Sequence, residues 1–278
     1  MWYEYHSSGS KKFKKAGRSH QKVLGVEIEF APSLLAPEKF GGVGQFCAYL
    51  EKTLYKSRIN PDLFVFEKDG SIPGCGHIFG LEMISRPMAS KMMRQQNWAG
   101  FFRQLQSDGF IHLGHPDCGM HIHVDGMKVR ETSREDSHRY FAVLWHRLAT
   151  LESNDFGSLF GRYPNEYCET FPSLETEEEL YDEDGPYWST VCQYYDNITL
   201  LDVCRIFGTN SEFRDNLRYV PLNMTHKTKT LEFRMWASPQ DEVDVSAAIT
   251  FAEKFGYPDE DLVKRVTTPD ISSLSLFL

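Results

Sequence analysis

Five short stretches of the chain alternate apolar and polar residues, which is the pattern of strands that bury one face. They read "KVLGVEIEFA" at 22–31, "FVFEKDGSI" at 64–72, "GLEMIS" at 80–85, "CGMHIHV" at 118–124 and "KTLEFRMWA" at 229–237. The second stretch runs into an Asp-Gly turn, and the third is expected to return from it. The sequence therefore predicts a sheet with one apolar face and one polar face.

Other stretches place apolar residues every three or four positions, which predicts amphipathic helices. They cover about 43–57, about 90–107, 132–153 and 238–256. Thr132 and Glu135 fit a capping box that starts the third helix. Ser238 is the expected N-cap of the fourth helix, with Pro239 at its first position and Gly256 at its end. Strands and helices are interleaved, so we expect an α+β fold in which helices cover one face of a sheet.

Composition along the chain suggests where the folded part begins and ends. Residues 1–20 are expected to be a flexible arm, because the basic run "KKFKKAGRSHQK" begins there. Residues 21–265 are expected to form a single catalytic domain, followed by a C-terminal tail at 266–278. The acidic, turn-rich segment at 169–188 is expected to be an exposed insertion in that domain.

The overall charge and the cysteines exclude several classes of protein. A formal net charge of −9 over 278 residues argues against general nucleic-acid binding. We see no apolar run long enough to span a bilayer and no signal-peptide core near the N-terminus. The six cysteines show no C-x-x-C pair, which favours reduced thiols. We therefore expect a cytoplasmic protein without a nucleic-acid or membrane partner, and the oligomeric state stays open.

The polar faces of the predicted strands carry acids, histidines and one arginine, and almost nothing else. Glu27 and Glu29 share one face of their strand, and His121 and His123 share one face of theirs. The other strands and the turn add Glu67, Asp69, Glu82, Glu232 and Arg234. Taken singly, such a pair is typical of a solvated strand face, but four strands with the same property favour a metal site.

The residue types indicate which metal. Carboxylates crowded on one surface repel each other unless cations compensate their charge. Hard oxygen ligands favour Mg²⁺ or Mn²⁺ over zinc. No P-loop motif is present, so any nucleotide would have to be bound by other means.

The order of the motifs resembles the amidoligase family, which comprises carboxylate–amine ligases related to glutamine synthetase and glutamate–cysteine ligase. The matching blocks are "GVEIEF", "EKDGSI", "GLEMISRP", "CGMHIHV" and "RYVPLNMTHKTKTLEFRMW". They run from residue 25 to about residue 236, and five blocks in the expected order are a specific signal. The resemblance implies a glutamine-synthetase-like fold, a curved and mainly antiparallel sheet with helices on its convex face.

The resemblance also implies roles for single residues. Glu27, His121 and Glu232 would hold the metal ion nearest the transferred γ-phosphate of ATP. The metal ion that faces the acceptor carboxylate and the amine would be held by Glu29, Glu82 and one of Glu67 or Asp69. ATP would contact His123, Ser85, Arg86 and Arg234. The residues expected to act in catalysis are Arg234, Glu232 and Glu29.

The implied reaction is amide formation driven by ATP. A carboxylate is a poor electrophile, so it must first become an acyl phosphate, which an amine then attacks. Metal ions and a guanidinium would supply the positive charge that brings phosphate and carboxylate together. The carboxylate could belong to a small molecule, a peptide or a protein, and the sequence does not identify the amine.

Two other functions remain open at this point. The "HIHVD" stretch also resembles the H-x-H strand of amidohydrolase barrels, which would make the protein a metal-dependent hydrolase. That alternative needs further metal ligands, and His138, His146 and His226 fall on a predicted helix or loop. The protein could also be a non-catalytic nucleotide-binding relative of the ligases.

Overall fold

The computed structural model describes the larger part of the chain. The described residues are 22–125, 140–141, 143–145, 147–148, 151–163, 168, 221–223, 230–268 and 277, together with the backbone of 2–4. They group into two compact units, one formed by Met1–Val124 with Trp236–Glu253 and the other by Asp125–Met235 with Lys254–Leu278. Each unit is described by itself, and the single domain expected for 21–265 stays a prediction.

Nine strands lie in the described residues. They are β1 (Trp2–Glu4), β2 (Val23–Pro32), β3 (Phe64–Lys68), β4 (Leu81–Ser85), β5 (Met88–Ala89), β6 (Ile111–His112), β7 (Gly119–Val124), β8 (Leu222–Asn223) and β9 (Leu231–Ala237). All five stretches with alternating residues contain one of these strands. The alternation locates the strands because successive side chains point to opposite faces and one face carries the apolar residues. The polar residues Glu67, Glu82, His121 and Glu232 on the other face are also buried.

The helices of the described residues include the first, second and fourth apolar repeats, and residues 140–141, 143–145 and 147–148 of the third are helical too. They are α1 (Ala36–Lys39), α2 (Val43–Lys56), α3 (Ser90–Arg94), α4 (Trp98–Asp108), α5 (Ser153–Phe160), α6 (Glu242–Gly256) and α7 (Glu260–Thr267). No helix in the described part of the chain is both long and apolar enough to cross a membrane.

The sheet of the first unit is centred on β2. Its strands follow the order β1-β3-β4-β2-β7, and β5 and β6 also pair with β2. The β1–β3 pair is parallel, and the pairs that β2 makes with β4, β5, β6 and β7 are antiparallel, as is β3–β4. The predicted combination of helices with a mainly antiparallel sheet is confirmed.

The apolar face of this sheet packs against helix α4. The ring of Phe101 lies 6.2 Å from that of Phe30 on β2, and Trp98 lies 5.9 Å from Phe64 on β3. The residues Leu24, Val26, Ile28 and Phe30 of β2 are almost completely buried. The opposite face of β2 is therefore the one that carries Glu27 and Glu29.

Two predicted helix boundaries are wrong. The helix expected at about 90–107 is interrupted, because the Asn97 side chain accepts a hydrogen bond from Gly100 N–H and starts α4 as a new helix. Ser238 does not cap the helix that follows it. Asp241 takes that place, since its carboxylate accepts hydrogen bonds from Val243 N–H and Asp244 N–H at the start of α6. Gly256 does end that helix, as predicted.

The two predicted terminal segments also contain regular structure. Residues Trp2–Glu4, within the expected arm, form β1 and pair with β3. Helix α7 continues to Thr267, two residues into the expected tail. The rest of the arm, the Thr132–Glu135 capping box and the acidic segment at 169–188 lie outside the described residues.

The second unit contains the β8–β9 pair and an aromatic core of its own. Residues 140–141, 143–145 and 147–148 are helical, and the buried Tyr140 hydroxyl donates a hydrogen bond to Phe255 O at 2.9 Å. The guanidinium of Arg147 donates to Thr268 O at 2.7 Å. These bonds attach the helical stretch to the C-terminal helices of the same unit.

Candidate functional site

The register of the first unit's sheet gathers the predicted carboxylates. Glu82 on β4 pairs with Glu29 on β2 and with Glu67 on β3, so three carboxylates form a row across three adjacent strands. Residues paired in this way project from the same face with their Cβ atoms about 5 Å apart. Strand β7 flanks β2 on the edge opposite β4. Its His121 pairs with Glu27, and its His123 pairs with Gly25. The sheet therefore brings acids and histidines together.

The two histidines lie against the carboxylates of β2. The Nδ1 atom of His121 is 3.5 Å from Glu27 Oε2, and its Nε2 atom is 3.8 Å from Glu29 Oε1. The Nε2 atom of His123 is 3.1 Å from Glu27 Oε1. His121 thus stands between the two glutamates, and Glu27 stands between the two histidines.

These histidines control the charge of Glu27. Burial by itself would raise the pKa of the Glu27 carboxyl, but His123 and His121 together hold that pKa well below its ordinary value. Glu27 is therefore ionised and ready to accept a cation.

Glu82 is in the opposite situation. Burial raises the pKa of the Glu82 carboxyl well above its ordinary value, and four neighbouring carboxylates raise it further. They are Glu27, Glu29, Asp69 and Glu67. Glu82 is only 7% exposed, and no described residue donates a hydrogen bond to its carboxylate or forms an ion pair with it. A buried acid surrounded by acids is costly unless a cation offsets the repulsion.

The geometry separates Glu67 from Asp69, which the sequence does not. Glu67 is 2% exposed and lies in the carboxylate row. Asp69 follows β3, and its Oδ1 atom accepts two hydrogen bonds from Ser71, one from N–H at 2.8 Å and one from the hydroxyl at 2.7 Å. Asp69 therefore shapes the turn after β3, whereas Glu67 faces Glu82 directly.

We expect Glu67→Gln to weaken divalent-metal binding much more than Asp69→Asn. The first change removes a charge from the row. The second keeps the Oδ1 acceptor of the turn and removes a charge that lies outside the paired row. The measurement is the metal-induced rise in Tm of each variant. Equal losses in the two variants, or a larger loss in Asp69→Asn, would assign the ligand to Asp69 instead.

One set of donor atoms has the spacing of a metal site. A carboxylate oxygen of Glu27, one of Glu82 and a ring nitrogen of His121 lie within 4.8 Å of one another. Two carboxylates and an imidazole are a donor set that Mn²⁺ and Mg²⁺ both accept.

One predicted ATP contact, Ser85, is not part of this face. Ser85 is 4% exposed and pairs with Phe64 on the apolar side of the sheet, and its hydroxyl accepts a hydrogen bond from Val26 N–H at 2.8 Å. Arg86 follows β4 and is exposed, and its main-chain N–H donates to Leu63 O. The structure assigns Ser85 a role in holding the strands together, and the ATP contacts stay predictions.

The second unit contains the other two predicted site residues. Glu232 is 2% exposed on β9, and its Oε1 atom accepts a hydrogen bond from Arg234 at 2.6 Å. Its Oε2 atom accepts one from the amide of Asn223 on β8 at 2.8 Å. Each carboxylate oxygen keeps a second lone pair, so these bonds orient Glu232 without preventing it from binding a metal ion.

Sequence reasoning missed two of the groups that orient these carboxylates. One is Asn223, which gave no signal beyond its place in a strand. The other is the main-chain N–H of Gly119, which donates to Glu29 Oε2 at 2.5 Å. A sequence does not show which main-chain N–H donates to a side chain. Only the pairing of β2 with β7 reveals this donor.

Comparison with known proteins agrees with the motifs. A family profile described as "Putative amidoligase enzyme" matches residues 20–256, which is most of the chain. No curated protein and no solved structure matches it. The carboxylate row, the two histidines and the Glu232–Arg234 pair all fall inside the matched residues. The resemblance found in the sequence is confirmed, and the chain belongs to the amidoligase family.

Proposed function

We propose that this protein is an ATP-dependent carboxylate–amine ligase that works with Mg²⁺ or Mn²⁺. The observation that carries the proposal is the state of Glu82, a buried carboxylate with four acidic neighbours and no described hydrogen-bond donor or ion-pair partner. Folding would not gather these groups for stability alone, because removing charge from them would stabilise the sheet. Membership of the amidoligase family supports a ligase as the use of such a site.

The residues present fit divalent ions that prefer oxygen ligands. Glu27, Glu82 and His121 have donor atoms close enough to share one ion after small side-chain movements. Glu29 and Glu67 flank Glu82 in the row and would hold a second ion with it. The bound ions would neutralise the phosphate and carboxylate oxygens that must approach each other.

The chain's own groups would orient the reactants. His123 lies beside Glu27, at the end of the face away from the carboxylate row, where it would donate a hydrogen bond to a phosphate of ATP. We assign Arg234 to the transferred phosphoryl group, as the family resemblance implies. A guanidinium suits that task because its planar fork binds two oxygens at once.

The proposed reaction has two steps. The acceptor carboxylate attacks the γ-phosphate of ATP, which forms an acyl phosphate and releases ADP. The amine then attacks the acyl carbon, the phosphate leaves, and the amine loses a proton. Glu29 is an end member of the carboxylate row, so we propose that it helps to bind the amine and to receive that proton.

The substrate is proposed only as a chemical class. It is a carboxylate of a small molecule, a peptide or a protein, with an amine as the second reactant. A cytoplasmic location and the absence of nucleic-acid partners stay predictions.

Calorimetry should show that ATP binding depends on a divalent ion. We expect metal-free protein to bind ATP at least about 100-fold more weakly than protein saturated with Mg²⁺ or Mn²⁺, because carboxylates repel phosphates without intervening cations. Zn²⁺ is expected to substitute poorly, since most of the ligands are carboxylate oxygens. Tight ATP binding in the presence of a chelator would contradict the proposal.

The same preparation separates the three candidate functions. A ligase releases ADP when a suitable carboxylate and amine are added, and a screen of amino acids and amines would detect this. A binding protein would retain ATP without turnover. A hydrolase of the amidohydrolase type would ignore ATP, and such barrels consist of parallel strands, whereas most strand pairs described here are antiparallel.

A further inference from the structure

Ser238 joins two strands of the carboxylate face, although its sequence context predicted a helix cap. It comes directly after β9 and is 2% exposed. Its hydroxyl donates a hydrogen bond to Glu29 O at 2.8 Å, and its main-chain N–H donates to Cys118 O at 2.8 Å. One residue thus holds the main chain of β2 at Glu29 and the main chain just before β7.

The peptide group whose carbonyl accepts from Ser238 N–H also donates a hydrogen bond to the Glu29 side chain. Gly119 N–H donates to Glu29 Oε2 at 2.5 Å, while Glu29 Oε1 lies 3.8 Å from His121 Nε2. The two oxygens are therefore in different environments. Oε2 is held by the main chain, and Oε1 points toward the histidine and the rest of the face.

Apolar side chains form a cluster beside the segments that contain Glu29, Cys118 and Ser238. Ala31, Ile72 and Cys118 form a small cluster in which each residue is at most 4% exposed. The bond from the Ser238 hydroxyl to Glu29 O and the bond from Gly119 N–H to the Glu29 side chain are both partly buried, so water competes with them only in part. Together these bonds define the position of Gly119 N–H relative to Glu29.

We propose that Ser238 is a positioning residue that presents Glu29 to the metal site through a single oxygen and so favours Mg²⁺ or Mn²⁺ over Ca²⁺. This inference rests on the proposed function only in requiring that the site binds divalent ions. Mg²⁺ demands octahedral geometry with one oxygen from each carboxylate, whereas Ca²⁺ is larger and accepts both oxygens of one carboxylate. The bond from Gly119 fixes the rotation of the Glu29 carboxylate and leaves Oε1 as the oxygen nearer His121, so binding one ion through both oxygens would require that orientation to change.

The test compares Ser238→Ala with Ser90→Ala, which removes the hydroxyl of another buried serine in the same unit. Calorimetry on metal-free protein without ATP gives the affinities for Mg²⁺ and Ca²⁺. In Ser238→Ala we expect Mg²⁺ affinity to fall about 3- to 10-fold, the effect of one lost hydrogen bond. Ca²⁺ affinity should stay unchanged or rise. Ser90→Ala should leave the ratio of the two affinities at the parent value.

A purely structural role for Ser238 would lower Tm and leave that ratio unchanged, and this result would overturn the inference. If Ser238→Ala does not fold, Ser238→Cys replaces it, because a thiol is similar in size but a weaker donor. The ratio should then move in the same direction by less, and an unchanged ratio would again overturn the inference. A parent protein that binds no divalent ion at all would overturn the proposed function as well, so the two failures are distinguishable.

Discussion

Glu82→Gln is expected to abolish the response to divalent metal without destabilising the metal-free protein. The substitution removes a proposed metal ligand from the middle of the carboxylate row, while glutamine copies the shape of the protonated acid. Loss of an outer-sphere partner typically weakens metal binding 10- to 100-fold, so loss of this ligand should cost about 100-fold or more. ATP turnover should fall below detection. The measurements are Tm with and without Mn²⁺, and metal affinity by calorimetry.

The metal-free Tm is the more discriminating measurement. Because the pKa of Glu82 is raised in the folded protein, the folded state keeps a proton that the unfolded state loses at lower pH. The parent therefore loses stability as pH rises above the ordinary glutamate range, and the variant avoids this loss. We expect the Tm of Glu82→Gln to equal or exceed that of the parent at neutral pH.

Glu38→Gln provides the control, since it removes the same charge from an exposed position on α1. It should leave both metal affinity and turnover at the parent values. A Glu82→Gln protein that unfolds without metal would mean that Glu82 supports the fold through contacts other than a metal ion, and the proposal for this row would fail.

Arg234→Lys is expected to lower kcat on the order of 10²-fold while changing the ATP Kd much less. The guanidinium presents a planar fork, and lysine keeps the charge but loses the second, oriented donor. An interaction that strengthens as phosphoryl transfer proceeds affects kcat more than substrate binding. Steady-state ADP release with an acceptor from the amine screen, together with the ATP Kd, separates the two effects.

Arg234 also holds Glu232 through a hydrogen bond of 2.6 Å, so Arg234→Lys needs a check on metal binding. Mn²⁺ titration of the variant gives that check, and the affinity should stay within a few-fold of the parent because Asn223 still holds the other oxygen of Glu232. Arg103→Lys, an exposed arginine on α4, is the matched control. Parent-like turnover in Arg234→Lys would remove Arg234 from the phosphoryl-transfer step.

The alternation of residues was sufficient to locate the strands and to choose their charged faces. Period-two patterning is a local property, and burial alternates along β2, so Glu27 and Glu29 were assigned correctly to the face opposite Val26 and Ile28. Helix boundaries were less predictable. Ser238 and Asp241 are both suitable caps, and the tertiary contact with Glu29 decided which of them starts the helix.

The sequence alone determined the family and the set of chemical groups, because the order of the motifs can be read without knowing which strands pair. The register was decided only by the tertiary structure. It places Glu82 between Glu29 and Glu67 and moves Ser85 to the apolar side. Which carboxylates share a row depends on hydrogen bonds between strands far apart in the chain. The donor that holds Glu29 is a main-chain N–H, which every residue except proline possesses, so only folding could single it out.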